Sequence, residues 1–126
     1  MTDDLQDLAR RAVACPGWRW MGGARWIGVR PAPFENLCGR YPDSDRGYRI
    51  PHDEPIPDLT DAATLGCLLA LVREAWGDGG MTAQHHPLSG KGMTWRVWRP
   101  GDPVAYGPTE AAALVAALEA APVGAG

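Results

Sequence analysis

The chain is poor in lysine, and its charges nearly balance. Lysine occurs once against eleven arginines, and the net charge is −3, with acids and bases mixed along the sequence. Neither half carries the basic surplus that draws proteins to nucleic-acid phosphates, and the negative charge is too small to imitate a DNA backbone. These values argue against nucleic acid as a partner.

Long apolar runs are absent too. No stretch reaches the roughly eighteen consecutive apolar residues that a membrane-spanning helix requires. The first residues, MTDDLQDLARRA, begin acidic and lack an apolar signal core, so the sequence predicts no export signal. The cysteines number three, an odd count, and we therefore expect a reducing cytoplasmic location away from membranes.

Metal ligands are few and poorly spaced. Neither CxxC nor HxxxH occurs, and adjacent strand residues such as His85 and His86 point to opposite faces, so they do not easily share an ion. The sequence predicts no metal site. The side chains weighed as ligands are Cys15, Cys38, His52, His85 and His86.

Recognised catalytic motifs are also missing. The chain has no GxSxG, no phosphate-binding loop and no Cys–His pair in a known context. Asp53 and Glu54 lie among prolines, where solvated carboxylates are a simpler interpretation than an acid–base pair. We therefore predict a protein that is not an enzyme and needs no cofactor; a catalytic site assembled from dispersed residues is the alternative.

Apolar periodicity predicts three helices. The first spans Asp3–Ala14 with Thr2 as its cap, and the last begins after Gly107-Pro108-Thr109. The central helix, Asp61–Trp76, is apolar on nearly every side, which indicates that more than one neighbour covers it. Its expected core residues are Leu68, Leu69 and Val72.

Strand patterns flank the central helix on both sides. Before it, Trp18–Met21 and Ala24–Val29 resemble a hairpin joined by Gly22-Gly23. After it, a three-strand meander is predicted over Met81–His85, Met93–Arg99 and Pro103–Tyr106. These elements predict one α+β domain over 1–126, in which an antiparallel sheet, formed by the hairpin and the meander, packs with three helices.

Two segments fall outside this pattern. Residues 31–57 hold six prolines, and only Gly47–Ile50 resembles a strand there, so a long irregular segment is predicted. Residues 122–126 are expected to form a frayed tail.

The tryptophans, several of them next to arginines, are the strongest candidates for binding residues in the sequence. Six occur, and several alternate with arginine in WRW and WRVWR. Indole rings beside guanidinium groups can stack on nucleotides or contact proteins. The alternative is that tryptophan fills the core while arginine faces water, although Trp98 would then lie opposite Trp95, on the other face of the strand. The candidate binding residues are Trp18, Arg19, Arg25, Trp26, Arg96, Trp98 and Arg99.

Three motifs carry a resemblance. At WRWM, PDLTDAATLGCLLALVREAWG and YGPTEAAALVAALEAAP, the chain resembles a family of small uncharacterised proteins encoded by bacteriophages and prophages. The resemblance implies an accessory protein in the bacterial cytoplasm that binds a host protein and inhibits a defence system. A module that binds a nucleotide or another small molecule by Trp/Arg stacking is the alternative function, and a homodimer is the alternative to a monomer.

Overall fold

The computed structural model describes residues 3–28, 37–42, 50, 55–85 and 95–122. Within these ranges the chain forms three helices and two three-stranded antiparallel sheets, with strand orders β2-β1-β3 and β4-β5-β6. The predicted α+β class is confirmed. The elements in chain order are α1 Asp3–Ala14, β1 Arg25–Gly28, β2 Leu37–Arg40, β3 Pro55–Pro57, α2 Ala62–Trp76, β4 Thr82–His85, β5 Trp95–Arg99, β6 Asp102–Gly107 and α3 Glu110–Ala120.

The first sheet differs in detail from the predicted hairpin. Trp18–Met21 is not a strand; its ends lie in turns, with the Trp18 amide donating to the Cys15 carbonyl and the Ala24 amide to the Met21 carbonyl. The reason is that β1 is the central strand of its sheet. Because β2 and β3 pair with its two edges, β1 offers no edge to the residues before it.

Two strands also lie inside the segment predicted to be irregular. Leu37–Arg40 is β2, and Pro55–Pro57 is β3. Proline is tolerated in β3 because β3 is an edge strand with β1 on one side. On its other side, no strand among the described residues needs a hydrogen bond from the N–H that proline lacks. Of the predicted strand Gly47–Ile50, residues 47–49 lie outside the described residues, and Ile50 is in no strand.

The second half matches its prediction closely. The Asp61 carboxylate caps α2 by accepting from the Thr64 amide at 3.0 Å, and Gly77 ends the helix in the left-handed conformation at φ 67°. The Thr109 hydroxyl caps α3 by accepting from the Ala112 amide at 3.1 Å. Strands β4, β5 and β6 form the predicted meander, with a bulge in the pairing between Val97 and Trp98.

The core centres on α3. This helix packs on all three strands of the second sheet and on α1 and α2, and α1 in turn contacts β3. Of the three core residues predicted for α2, Leu68 and Val72 are fully buried, whereas Leu69 is only partly buried against the core. Leu71 is fully buried in addition. Among the described residues, no helix is long and apolar enough to cross a membrane. The largest fully buried side chains are Leu68, Leu71, Met81, Leu114, Val72, Val97 and Val115.

Candidate functional site

The seven predicted binding residues fall into three different environments. Arg25 and Trp26 belong to the first sheet, Trp18 and Arg19 follow α1, and the remaining three lie on β5. Most of them are engaged by neighbours within the chain. The structure therefore divides the Trp/Arg pattern into residues that stabilise the fold and residues on its surface.

Trp26 is a core residue of the first sheet. Only 4% of it is exposed, and it pairs across the ladder with Gly39. A Cβ added at Gly39 would lie 2.8 Å from Cζ2 of the indole, so the ring fits directly over this glycine. Trp26 is thus inaccessible to a stacking ligand, contrary to the sequence-based expectation.

Arg25 links the first sheet to the start of α2. Its guanidinium lies 3.5 Å from the Asp58 carboxylate and donates to Sγ of Cys38 at 3.3 Å. Its backbone amide donates to Oγ1 of Thr64 at 2.8 Å. These contacts give Arg25 a structural role in holding β1 against the helix.

Arg40, which the sequence analysis did not single out, completes this junction. It forms two hydrogen bonds to the Asp61 carboxylate, at 2.9 and 3.0 Å, and a third to the Gly23 carbonyl at 2.7 Å. The Arg40 hydrogen bonds, and then those from Thr64, hold the pKa of Asp61 well below its usual range. One carboxylate thus caps α2 and anchors β2 at the same time.

Trp18 and Arg19 are also occupied within the chain. The indoles of Trp18 and Trp20 meet edge to face at 5.3 Å, and Trp20 stacks on Tyr41 at 6.4 Å. The Arg19 guanidinium pairs with Glu74 near the end of α2 at 2.7 Å, and this hydrogen bond lowers the pKa of Glu74. An ion pair therefore holds the segment after α1 against α2, and an aromatic contact holds it against Tyr41, which follows β2.

Arg99 faces the helices. Its guanidinium carbon lies 5.9 Å from the centre of the Trp76 ring, and its Nε lies 3.6 Å from the Asp78 carboxylate. The Trp76 indole in turn donates to the Ala117 carbonyl of α3 at 2.9 Å. Arg99 consequently joins β5 to the end of α2.

Arg96 and Trp98 lie on the opposite side of the second sheet. Val97 between them is fully buried in the core, so the alternation of the strand turns both neighbours away from α2 and α3. Register places Arg96 between Gln84 and Tyr106, and Trp98 between Thr82 and Pro103. We call this the outer face, defined as Thr82, Gln84, Arg96, Trp98, Pro103 and Tyr106.

The outer face combines aromatic rings with a positive charge. The Arg96 guanidinium carbon lies 5.2 Å from the centre of the Trp98 ring, within cation–π range. Tyr106 is 46% exposed and is the one large hydrophobic residue with this exposure among those described. Nε of Arg96 and Nε1 of Trp98 are buried without an acceptor in the described part of the chain. Buried polar groups without a hydrogen-bond partner are uncommon in folded proteins.

Arg96 differs from every other arginine in the described ranges. It has neither a carboxylate nor a carbonyl partner there, whereas each of the others forms an ion pair with Asp or Glu or, in one case, donates to the Met81 carbonyl. Tyr106 escaped the sequence-based prediction because no tryptophan or arginine adjoins it in the chain. Pairing the period-two pattern of β5 with that of β6 is the signal that would have found it.

Other chemistry is limited in the part of the chain described. No group of three or more His, Cys, Asp or Glu side chains is placed there to hold a metal ion. Of the weighed ligands, His85 instead contacts the Trp95 ring at 5.3 Å, and Cys15 is buried. His52 and His86, like Asp53 and Glu54, lie outside the described residues.

The chain was compared with protein-family models, with curated proteins and with solved structures, and none of the three comparisons found a match.

Proposed function

We propose that this is a non-catalytic binding protein and that the outer face is its contact surface for another protein. The observation that carries the proposal is the Arg96–Trp98 pair beside the exposed Tyr106. Tryptophan, tyrosine and arginine dominate the energetics of protein interfaces because they combine a large apolar area with directed hydrogen bonds. A sheet face of this composition is well suited to bind a protein.

The alternative function is binding of a nucleotide or another small molecule by stacking. The Trp98 ring would then have to accept a base, but Arg96 already lies over the ring. Among the described outer-face residues Arg96 is also the one cation, whereas phosphate recognition generally draws on several charged or amide donors. These two features favour a protein partner over a nucleotide.

The cellular setting of the proposal comes from the motif resemblance. On that basis, the partner is a host protein in the bacterial cytoplasm, and the effect of binding is inhibition of a defence system encountered by a phage. The outer face supports binding, and the resemblance supports the setting. The two components can be tested separately.

The binding component is tested by quantitative affinity capture from a bacterial host. The test variant carries Trp98→Ala and Tyr106→Ala. The control carries Arg10→Gln, because Arg10 is exposed on α1 and its partner among the described residues is Asp7, in a surface pair at 3.5 Å. We expect a host protein that is retained by the wild type and the control and lost from the double variant. Equal retention by all three proteins would place the contact elsewhere.

The defence component is tested by phage infection of strains that each carry one defence system. We expect the wild-type protein to restore infection in a subset of strains and the double variant to fail there. If the double variant restores infection as well as the wild type does, the outer face is not the inhibitory surface. If neither restores it in any strain, the defence setting is wrong.

The alternative is tested by tryptophan emission during titration with mononucleotides, cyclic nucleotides and short oligonucleotides. A ligand that stacks on Trp98 should quench emission from the wild type, and Trp98→Ala should remove that change. We expect no saturable quenching. Saturable quenching that depends on Trp98 would instead support the nucleotide function.

A further inference from the structure

Resting on the proposed function, we infer that the outer face recognises an acidic segment of its partner through a carboxylate bound to Arg96. The inference starts from Arg96, whose charge meets no carboxylate among the described residues. All the other arginines in the described ranges have an oxygen partner within the chain, and the pairs that the fold uses join an arginine to Asp or Glu. A carboxylate of a partner protein would give Arg96 the same kind of ion pair.

The neighbours of Arg96 define the rest of the partner's chemistry. None of the described outer-face residues carries a carboxylate, while Gln84 and Tyr106 add hydrogen-bonding groups on either side of Arg96. Trp98 and Pro103 supply an apolar wall next to this polar row. A segment with acidic side chains next to apolar ones matches both parts of the surface.

A second copy of this chain fits the outer face less well. Arg96 lies on β5, the central strand of its sheet. A two-fold contact centred on that strand would bring two Arg96 guanidinium groups together, and like charges at an interface oppose association. The charge of the outer face thus favours a different, negatively charged partner over self-association.

The experiment uses an end-blocked peptide of alternating glutamate and valine, and its glutamine counterpart as the uncharged control. Binding is followed in ¹⁵N–¹H spectra through the side-chain Nε–H of Arg96 and Nε1–H of Trp98, assigned with Arg96→Gln and Trp98→Phe. We expect the glutamate peptide to shift both signals. Its affinity should fall by about tenfold in Arg96→Gln, less in Arg96→Lys, and not at all in the control Arg10→Gln.

Several outcomes would overturn the inference. They are equal binding of the glutamine peptide, no signal change with either peptide, and shifts produced by adenosine monophosphate or inorganic phosphate at lower concentration than by the glutamate peptide. A mass in light scattering that rises above the 13.5 kDa of one chain, and returns to it in Trp98→Ala, would assign the face to a second copy. A constant mass supports the inference.

This failure can be told apart from failure of the proposed function. If Arg96→Gln captures the host protein as well as the wild type does, while the Trp98→Ala and Tyr106→Ala double variant loses it, the acidic partner is wrong but the binding surface stands. If the double variant also captures it normally, the proposed function itself fails.

Discussion

The arginines of the first sheet and the outward-facing arginine of the second sheet are used in different ways. In the first sheet, Arg25 and Arg40 each meet a carboxylate at the start of α2. In the second sheet, Arg96 meets no carboxylate among the described residues and lies instead over Trp98. The same Trp/Arg alternation therefore has two physical consequences. Where an arginine meets an acid within the chain, the pattern stabilises the fold. Where no acid is found among the described residues, it leaves the surface that we propose as a binding site.

The largest effect on the free energy of unfolding is expected in the hydrophobic core, at α2. Leu68 is fully buried, so Leu68→Ala should lower the free energy of unfolding by about 2–5 kcal/mol. Leu69→Ala should cost clearly less, about 1–2 kcal/mol, because Leu69 is only partly buried. Denaturant unfolding of both variants provides the measurement. Equal losses would mean that the α2 stripe is centred as the sequence alone predicted.

The next effect concerns Trp26 and Gly39. Gly39→Ala places a methyl group 2.8 Å from the indole, so the ring must move, at an expected cost of about 1–3 kcal/mol. Gly66→Ala is the matched control: it lies in α2, its Cβ meets no atom within 4 Å, and it should stabilise the helix by about 0.5–1 kcal/mol. If Gly39→Ala is as harmless as the control, Trp26 is free to leave the core.

A smaller loss is expected at the charged junction. Asp61→Ala removes the α2 cap and the Arg40 pair, which should cost about 1–2 kcal/mol. Asp7→Ala, which removes a surface pair, should cost less than about 0.5 kcal/mol. Thermal unfolding distinguishes the two. A loss in Asp61→Ala no greater than that in Asp7→Ala would show that the junction contributes little.

The same junction predicts a dependence on pH. Arg40 lowers the pKa of Asp61 in the folded protein. The contribution of Asp61 to stability is therefore fully present above its unfolded pKa of about 3.9, and it is lost progressively as the pH falls from there toward the folded pKa. We expect the unfolding free energy to decline less steeply with falling pH in Asp61→Asn than in the wild type. Measurements from about pH 6 to about pH 3 bracket the pKa of Asp61 in the unfolded state. Parallel curves would contradict the assigned role of Asp61.

The smallest effect on stability is expected on the outer face. Arg96→Gln removes a cation–π contact and no salt bridge found among the described residues, so it should cost about 0.5–1 kcal/mol. Arg40→Gln, measured in parallel by denaturant unfolding, should cost more because it breaks two hydrogen bonds to Asp61. The reverse order would remove the contrast between the two sheets.

The sequence predicted the second half of the fold better than the first because its signals there are local. The caps at Asp61 and Thr109 and the glycine stop at Gly77 are readable within a few residues. The first sheet depends on pairing between distant segments, and β3 is a short edge strand written Pro-Ile-Pro, which has no strand periodicity. Local pattern could not reveal that β1 is a central strand.

The candidate site was predicted in part for the same reason. Alternation correctly turned Trp98 and Arg96 away from Val97, because that rule holds within one strand. It could not separate Trp26 from Trp98, since the burial of Trp26 depends on Gly39 in another strand. Nor could it show which arginines find carboxylates, because those pairs join residues far apart in the chain.

The central claim is the proposal that Trp98 serves binding while Trp26 serves folding, and affinity capture from a bacterial host with Trp98→Ala tests it most directly. The account predicts that this variant keeps a cooperative unfolding transition close to that of the wild type and loses the captured protein. Trp26→Ala should instead lower the unfolding free energy by about 3–5 kcal/mol. Undiminished capture by a folded Trp98→Ala protein would contradict the account.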